Sequence, residues 1–172
     1  RMVGGTLGSA LRATPTISTG QVHTTTVDVP AGASSLRATI GSTSDAAADL
    51  DLYVYGPTGA LVGQSADGDS EESVTIAAPP GTYTIVVDGY SVPAGSTTYT
   101  YVDVVTAAAY GSVSVTDTNA ERLSGASWTV PVIVTAGAVP ASGRVLLGAV
   151  RVATSANVIV GTGDVLVQAV TP

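Results

Sequence analysis

Carboxylates supply the most promising chemistry in this sequence, because they occur at two informative spacings. Asp49 and Asp51 are two residues apart in an alternating segment, so both side chains would project from one face of a strand. A short acidic turn follows at 65–72. Carboxylates at such density repel one another unless a cation neutralises them, and Ca²⁺ accepts roughly six to eight oxygen ligands. The sequence therefore predicts a calcium site built from Asp45, Asp49, Asp51, Asp69 and Glu72.

The same acids have a second interpretation, as solvated turn residues. Asp is favoured in turns because its side chain bonds to the nearby backbone, and surface charge aids solubility. A glycosidase-type pair of carboxylates would need a groove, usually with aromatic walls. Trp128 is the single Trp and lies in an alternating segment, where a core role is expected. The spacing alone leaves calcium binding and solvation both open.

Tyrosines form two further same-face pairs. Tyr53 and Tyr55 share the face of Asp49 and Asp51, and Tyr99 and Tyr101 share a face with Asp103. An exposed Tyr stripe can dock an extended protein polymer, because Tyr offers a large contact area at low entropic cost. The chain has no Phe, however, so Tyr must also supply the aromatic core. We predict either a binding surface or a set of core aromatics, formed by Tyr53, Tyr55, Tyr99 and Tyr101.

No residue set for catalysis is evident. His23 is the single His, in a Thr-rich run where an ordinary surface or edge-strand residue is expected. A serine hydrolase needs a nucleophile, a base and an orienting acid, and neither a G-x-S-x-G elbow nor the Gly-Thr-Ser motif of subtilisins occurs. Cys and Lys are absent, which removes thiol and Schiff-base chemistry. We predict that the chain is not an enzyme and that no residue is catalytic.

Composition narrows the possible partners. The 172 residues are 45% hydrophobic and 11% charged, with a formal net charge of −7. The six basic residues are all Arg and are scattered, which argues against nucleic acids and anionic membranes. No apolar run approaches the roughly 20 residues of a membrane span. We expect a monomer without nucleic-acid or membrane partners.

Alternating Val- and Thr-rich segments, separated by Gly- and Pro-rich turns, indicate short strands. The segment around Leu36, Ala38 and Ile40 is typical. We predict an all-β chain with a jelly-roll or sandwich domain at 21–106 and a second, small β-domain at 107–172. Residues 1–20 are expected to be a linker or a remnant of a preceding domain.

The larger predicted domain resembles the bacterial pre-peptidase C-terminal (PPC) domain. The resemblance rests on Val27-Asp28-Val29-Pro30-Ala31-Gly32, Asp49-Leu50-Asp51-Leu52-Tyr53-Val54 and Pro80-Gly81-Thr82-Tyr83. That family is a β-jelly-roll appended to secreted proteases, and calcium sites are common in it. The resemblance implies a secreted chain whose partner is the catalytic domain of a parent protease.

The second predicted domain resembles the fibronectin-III-like tail of large actinobacterial subtilisin-like serine peptidases. The signals are Gly111-Ser112-Val113, Ser127-Trp128-Thr129-Val130 and Gly161-Thr162-Gly163. Together the resemblances imply a non-catalytic accessory region that stabilises its enzyme, with or without calcium, or targets it to a protein or polymeric substrate. The alternatives are a structural spacer or adhesin-type module of a cell-surface protein, and a cleaved pro-region that assists folding.

Overall fold

The structure is a computed structural model that describes residues 1–170. Apart from a 3₁₀ turn at Ala108–Tyr110, its regular elements are strands. In chain order they are β1 (Met2–Val3), β2 (Gly5–Thr6), β3 (Gly8–Ala13), β4 (Thr16–Ile17), β5 (Val22–Val29), β6 (Ala33–Gly41), β7 (Asp49–Tyr55), β8 (Leu61–Ser65), β9 (Ser73–Ile76), β10 (Gly81–Ser91), β11 (Thr97–Thr98), β12 (Thr100–Ala107), β13 (Gly111–Val115), β14 (Val132–Ala136), β15 (Val145–Ala153) and β16 (Ile159–Val167). The predicted all-β class is confirmed.

The chain forms two compact units. The central unit comprises Ala10–Val105, and the terminal unit comprises Arg1–Ser9 together with the chain from Thr106 onward. Residues 1–20 were expected to be a linker or a remnant of a preceding domain, and the linker alternative is corrected because they contain β1 to β4. β1 pairs with β15 through Met2 and Val152. A strand of two residues is too short to show an alternating pattern. Its pairing with β15 could not be predicted because the two strands are far apart in sequence.

The central unit is a sandwich of two sheets. One has the order β3-β12-β6-β9, and the other has the order β5-β10-β7-β8. Alternation decides which side chains face inward. In β7, Leu50, Leu52 and Val54 are buried while Tyr53 and Tyr55 are half-buried on the other face. These inward faces form an apolar core whose largest fully buried members include Tyr99, Leu36, Leu50, Leu52 and Ile85.

The terminal unit has a much smaller core. β13 pairs with both β14 and β2, and β15 pairs with both β1 and β16. Leu7, Val113 and Leu146 form its buried cluster. Half-buried side chains pack around that cluster, namely Tyr110, Val115, Val150, Val165, Val167 and Val170. The cluster therefore depends on neighbours that themselves remain in contact with water.

Asp117 forms hydrogen bonds and an ion pair with residues from several segments of the terminal unit. Its carboxylate accepts hydrogen bonds from the amide of Met2 at 2.7 Å and from Nε1 of Trp128 at 3.3 Å. It also forms an ion pair with Arg122 at 3.1 Å, and that guanidinium lies 4.4 Å from the centre of the Trp128 ring. Within residues 1–170, no helix is both long and apolar enough to cross a bilayer.

Candidate metal centre

The acidic turn at 65–72 joins β8 to β9 and is fastened to the strands beside it. The amide of Ile40 donates a hydrogen bond to the carbonyl of Glu72 at 3.0 Å, and the amide of Glu72 donates to the carbonyl of Ile40 at 3.2 Å. The amide of Leu50 donates to the carbonyl of Asp69 at 3.2 Å, and the buried hydroxyl of Ser70 donates to the carbonyl of Ala48 at 2.7 Å. The turn is therefore held against the start of β7, where Asp49 and Asp51 lie.

Hydrogen bonds inside the turn orient its carboxylates. Oδ1 of Asp67 accepts from the amide of Asp69 at 3.1 Å, and Oδ1 of Asp69 accepts from the amide of Glu71 at 2.7 Å. Glu72 accepts from the amide of Asp67 at 3.1 Å and from the hydroxyl of Ser65. The Oδ2 atoms of Asp67 and Asp69 take no part in these bonds. The cluster therefore keeps carboxylate oxygens that could coordinate a cation.

Three acids of the turn converge. One carboxylate oxygen from each of Asp67, Asp69 and Glu72 lies within 4.8 Å of the others. Glu72 is buried, whereas Asp67 and Asp69 are exposed. Oxygens from three carboxylates at this separation can surround a hard cation such as Ca²⁺. The sequence prediction placed Asp69 and Glu72 in the ligand set but left out Asp67, although Asp67 belongs to the same acidic turn.

Asp49 extends this cluster from the strand side. Its Oδ1 is buried and has no hydrogen-bond partner among the described residues. Burial raises the pKa of Asp49, and the charges of Asp51, Glu72, Asp67 and Asp69 raise it further. A buried carboxylate oxygen without a hydrogen bond, beside four like charges, is costly unless a proton or a cation compensates it.

The remaining two predicted ligands have other roles in the structure. Asp51 accepts a hydrogen bond from the Tyr53 hydroxyl at 2.9 Å, and this bond raises the pKa of Tyr53 to about 12. Asp45 accepts from the amides of Ala47 at 3.0 Å and Ala94 at 2.9 Å, and it is not among the three acids whose oxygens converge. The role of Asp45 as a ligand therefore stays a prediction.

The predicted tyrosine surface is half wrong. Tyr99 and Tyr101 are 1% and 3% exposed, because in a chain without Phe they fill the core. Burial raises the pKa of Tyr99 to about 12. The Tyr101 hydroxyl donates to Oδ2 of Asp103 at 3.0 Å, and Asp103 is itself fully buried. Tyr53 and Tyr55 are half-buried, and their part in a binding surface stays a prediction.

His23, expected as an ordinary surface or edge-strand residue, lies on β5. Its Nδ1 is 2.8 Å from the hydroxyl of Tyr99, and the two rings stack with their centroids 5.8 Å apart. The chain holds no second His, no Cys and no Lys with which this residue could form a catalytic group. What the fold and the acidic turn define is an acidic, all-β module with a candidate cation site.

Comparison with known proteins assigns one segment of this module to a protein family. Residues 21–89 match the family model of the bacterial pre-peptidase C-terminal domain, which confirms the resemblance for that segment. A domain of this family is a non-catalytic accessory part of the protein that carries it. Pyrolysin from Pyrococcus furiosus is 38% identical over 87 residues, which are 50% of this chain. The chain spans only 6% of the length of that relative.

A solved structure also aligns with part of the chain. It is the crystal structure of PliG from Aeromonas hydrophila, a periplasmic lysozyme inhibitor of g-type lysozyme. The alignment covers 57% of this chain and 87% of that chain, with 18% identity and a TM-score of 0.42. A TM-score of this size carries no argument about this chain. The resemblance of residues 107–172 to a fibronectin-III-like tail, and the actinobacterial origin, stay predictions.

Proposed function

We propose that this chain is the non-catalytic accessory region of a secreted serine peptidase and that it stabilises the enzyme outside the cell. The observation that carries the proposal is the match of residues 21–89 to the PPC family. The similarity to part of pyrolysin supports attachment to a subtilisin-like catalytic domain. Targeting of that catalytic domain to a protein or polymeric substrate is the second possible role, and Tyr53 and Tyr55 are the surface residues proposed for it.

The stabilising role includes calcium, with Asp67, Asp69 and Glu72 as ligands and Asp49 as the fourth carboxylate. The proposal is supported by the 4.8 Å grouping of the three turn carboxylates and by the buried, unpartnered Oδ1 of Asp49. A cation held there would offset the repulsion among the four acids. Because the site needs both β7 and the turn in place, calcium would bind the folded state preferentially and stabilise it by mass action.

Thermal unfolding tests the calcium proposal. We expect the midpoint of the central unit to rise when millimolar Ca²⁺ replaces EDTA, with a smaller effect of Mg²⁺, which demands stricter octahedral geometry. Asp69→Asn and Glu72→Gln should abolish the rise. Asp28→Asn is the matched control, because Asp28 is an exposed carboxylate of the same unit on β5. Equal midpoints in EDTA and calcium would overturn the calcium site while leaving the accessory role open.

The accessory role is tested separately in the parent protein. The parent peptidase should lose activity faster at elevated temperature when this region is deleted, while its turnover number on a small peptide substrate stays unchanged. Deletion that changed neither the lifetime of the enzyme nor its action on large protein substrates would refute the accessory role. An unchanged lifetime with weaker action on large substrates alone would favour targeting over stabilisation.

A further inference from the structure

The edge of the central sandwich at β5 is open to another strand. β5 pairs with β10 along its whole length, from Val22 opposite Asp88 to Val29 opposite Gly81, without a bulge. In the part of the chain that the structure describes, no strand pairs with its other side. Backbone N–H and C=O groups of an antiparallel strand point alternately to its two sides, so about half of those in β5 face outward.

This edge has few of the features that usually protect an open strand, since Asp28 is its only carboxylate or Lys/Arg side chain. Natural sheets block their edges with Lys, Pro, bulges or very short strands. β5 is eight residues long, and its sequence VHTTTVDV contains no Lys, Arg or Pro. Threonine and valine favour the extended conformation. The edge is therefore a suitable template for strand addition.

A cavity lies beside this edge, between the inner faces of the two sheets. Its volume is about 350 Å³. His23 and Thr25 of β5 line it, and the other lining residues are Leu11, Ala13, Pro15, Val87, Tyr99 and Tyr101. The 2.8 Å contact between His23 and Tyr99 fixes one wall. No carboxylate or guanidinium lines the cavity, so it suits an aliphatic side chain.

We propose that the β5 edge binds an extended peptide as an added strand, with one aliphatic side chain of the peptide inserted in this cavity. Side chains of the added strand would alternate between the two faces of the sheet. Those on the inner face would lie beside His23 and Thr25, at the cavity. Main-chain hydrogen bonds would then supply affinity, and the cavity would supply selectivity.

The charges at the two ends of β5 indicate which residues should flank the aliphatic side chain of the peptide. Asp28 lies near one end of β5, and Asp88 lies opposite Val22 at the other end. No Lys or Arg occurs between Arg12 and Arg37, and the whole chain has a net charge of −7. A peptide with Arg or Lys on both sides of its aliphatic residue is therefore complementary to this edge. The inference goes beyond the accessory role and does not depend on calcium.

The test uses the full chain and three synthetic probes in an NMR titration. The first probe is an alternating Thr/Val peptide with a central Leu and an Arg at each end. The second replaces Leu with Ser, and the third replaces both Arg with Glu. We expect the first to shift the amide signals of β5 and the ring signals of His23. The Leu-to-Ser probe should bind roughly tenfold or more weakly, because it brings no aliphatic side chain to bury in the cavity.

Two variants locate the site on the protein. Ala13→Leu should fill the cavity from its exposed rim and weaken the first probe by roughly tenfold. Ala77→Leu is the matched control, because Ala77 lines a different cavity, beside Pro57 and Pro79, and should leave affinity unchanged. The spectra of both variants report whether they remain folded. If Ala13→Leu does not fold, the Leu and Ser probes make the same comparison on the unaltered chain.

Three outcomes would overturn the proposal. The first is equal binding of the Leu and Ser probes, and the second is signal changes confined to the acidic turn at 65–72. The third is a dimer of the chain, detected by sedimentation, whose interface protects the β5 amides. That result would make a second copy of the chain the natural occupant of the edge.

Discussion

The central and terminal units have the same kind of strand-forming sequence but bury it very differently. In the central unit Leu36, Leu50 and Leu52 are at most 1% exposed. In the terminal unit the three consecutive residues Val132–Val134 of β14 are 39 to 62% exposed, although neighbours on a strand point to opposite faces. The central unit therefore has a two-layer core, whereas β14 has both faces in water.

Alternation of apolar and polar residues favours strands but does not by itself make a core. A sheet needs a second layer to bury its apolar face. The central unit supplies that layer with a second four-stranded sheet, while the terminal unit gathers its apolar contacts around Leu7, Val113 and Leu146. We therefore expect the terminal unit to unfold first. Trp128 reports on it by fluorescence, and every tyrosine except Tyr110 reports on the central unit.

The largest effect is expected from Leu52→Ala in the central core. Leu52 and Leu146 are both fully buried, so Leu146→Ala is its matched counterpart. Leu52→Ala should lower the free energy of unfolding by about 3–5 kcal/mol, because the close-packed sandwich cannot collapse around the cavity. Leu146→Ala should cost about 2–3 kcal/mol, since its half-buried neighbours can relax. Denaturant unfolding followed by tyrosine and tryptophan signals measures both, and equal costs would contradict the comparison.

A smaller effect is expected from Gly148→Ala in the terminal unit. A Cβ at Gly148 would lie 2.5 Å from Cδ2 of Leu7 and 2.9 Å from Cγ2 of Val113, inside the small core. Overpacking of this kind costs about 1–3 kcal/mol. Gly163→Ala is the control, because a Cβ there meets no atom within 4 Å. The Trp128 transition should shift to lower denaturant in the first variant only. An unshifted transition would mean that this core is looser than the distances indicate.

The sequence predicted the central unit better than the terminal one, for a physical reason. Period-two alternation shows which residues share a face, so the common face of Asp51 and Tyr53 was predictable and their hydrogen bond agrees with it. Alternation does not show which face turns inward. Tyr99 and Tyr101 have the same spacing as Tyr53 and Tyr55, yet they are buried. Only the packing of the second sheet decides that difference.

The part of the candidate site that is formed by residues close in sequence was predictable. The acidic turn was evident from composition, and its carboxylates converge. The role of Asp45 was not predictable, because one of its two backbone partners, Ala94, lies 49 residues away. The strands at residues 1–20 were missed for the same reason. Their partners are distant in sequence, as Met2 with Val152 and Ile17 with Thr97 illustrate.

Stability of the central unit in EDTA should depend on Asp49. Its pKa lies above the ordinary value of 3.8, chiefly because of burial. The folded state then binds a proton that the unfolded state releases, so stability is highest below pH 3.8 and declines as the pH rises through the folded pKa. Asp49→Asn should remove this decline and raise the free energy of unfolding at pH 7.

Tyrosine-monitored unfolding between pH 4 and pH 7 measures this change. Asp28→Asn, at an exposed position of the same unit, should leave the pH profile unaltered. With calcium present, Asp49→Asn should instead lose the calcium-dependent rise in midpoint. A flat pH profile of the unaltered chain in EDTA would show that Asp49 has another compensating partner.

The smallest expected effect is an opposite pH dependence in the terminal unit. The hydrogen bond from the Met2 amide, with further bonds from Thr118 and Trp128 and the charge of Arg122, lowers the pKa of Asp117 below its ordinary value of 3.8. The stability that this carboxylate contributes is complete above pH 3.8 and is lost as the pH falls through the folded pKa. Acid should therefore weaken the terminal unit in a range where protonation of Asp49 no longer affects the central unit.

Fluorescence of Trp128 follows this change directly, because its Nε1 donates to Asp117. In EDTA, acidification from pH 7 to 4 should raise the tyrosine-monitored midpoint while the tryptophan-monitored midpoint holds, and further acidification should lower the latter. Asp117→Asn should abolish that final drop, whereas Asp164→Asn, at an exposed position of β16, should preserve it. If both signals moved together at every pH, the two units would unfold as one cooperative structure. Their different burial would then have no separate effect on stability.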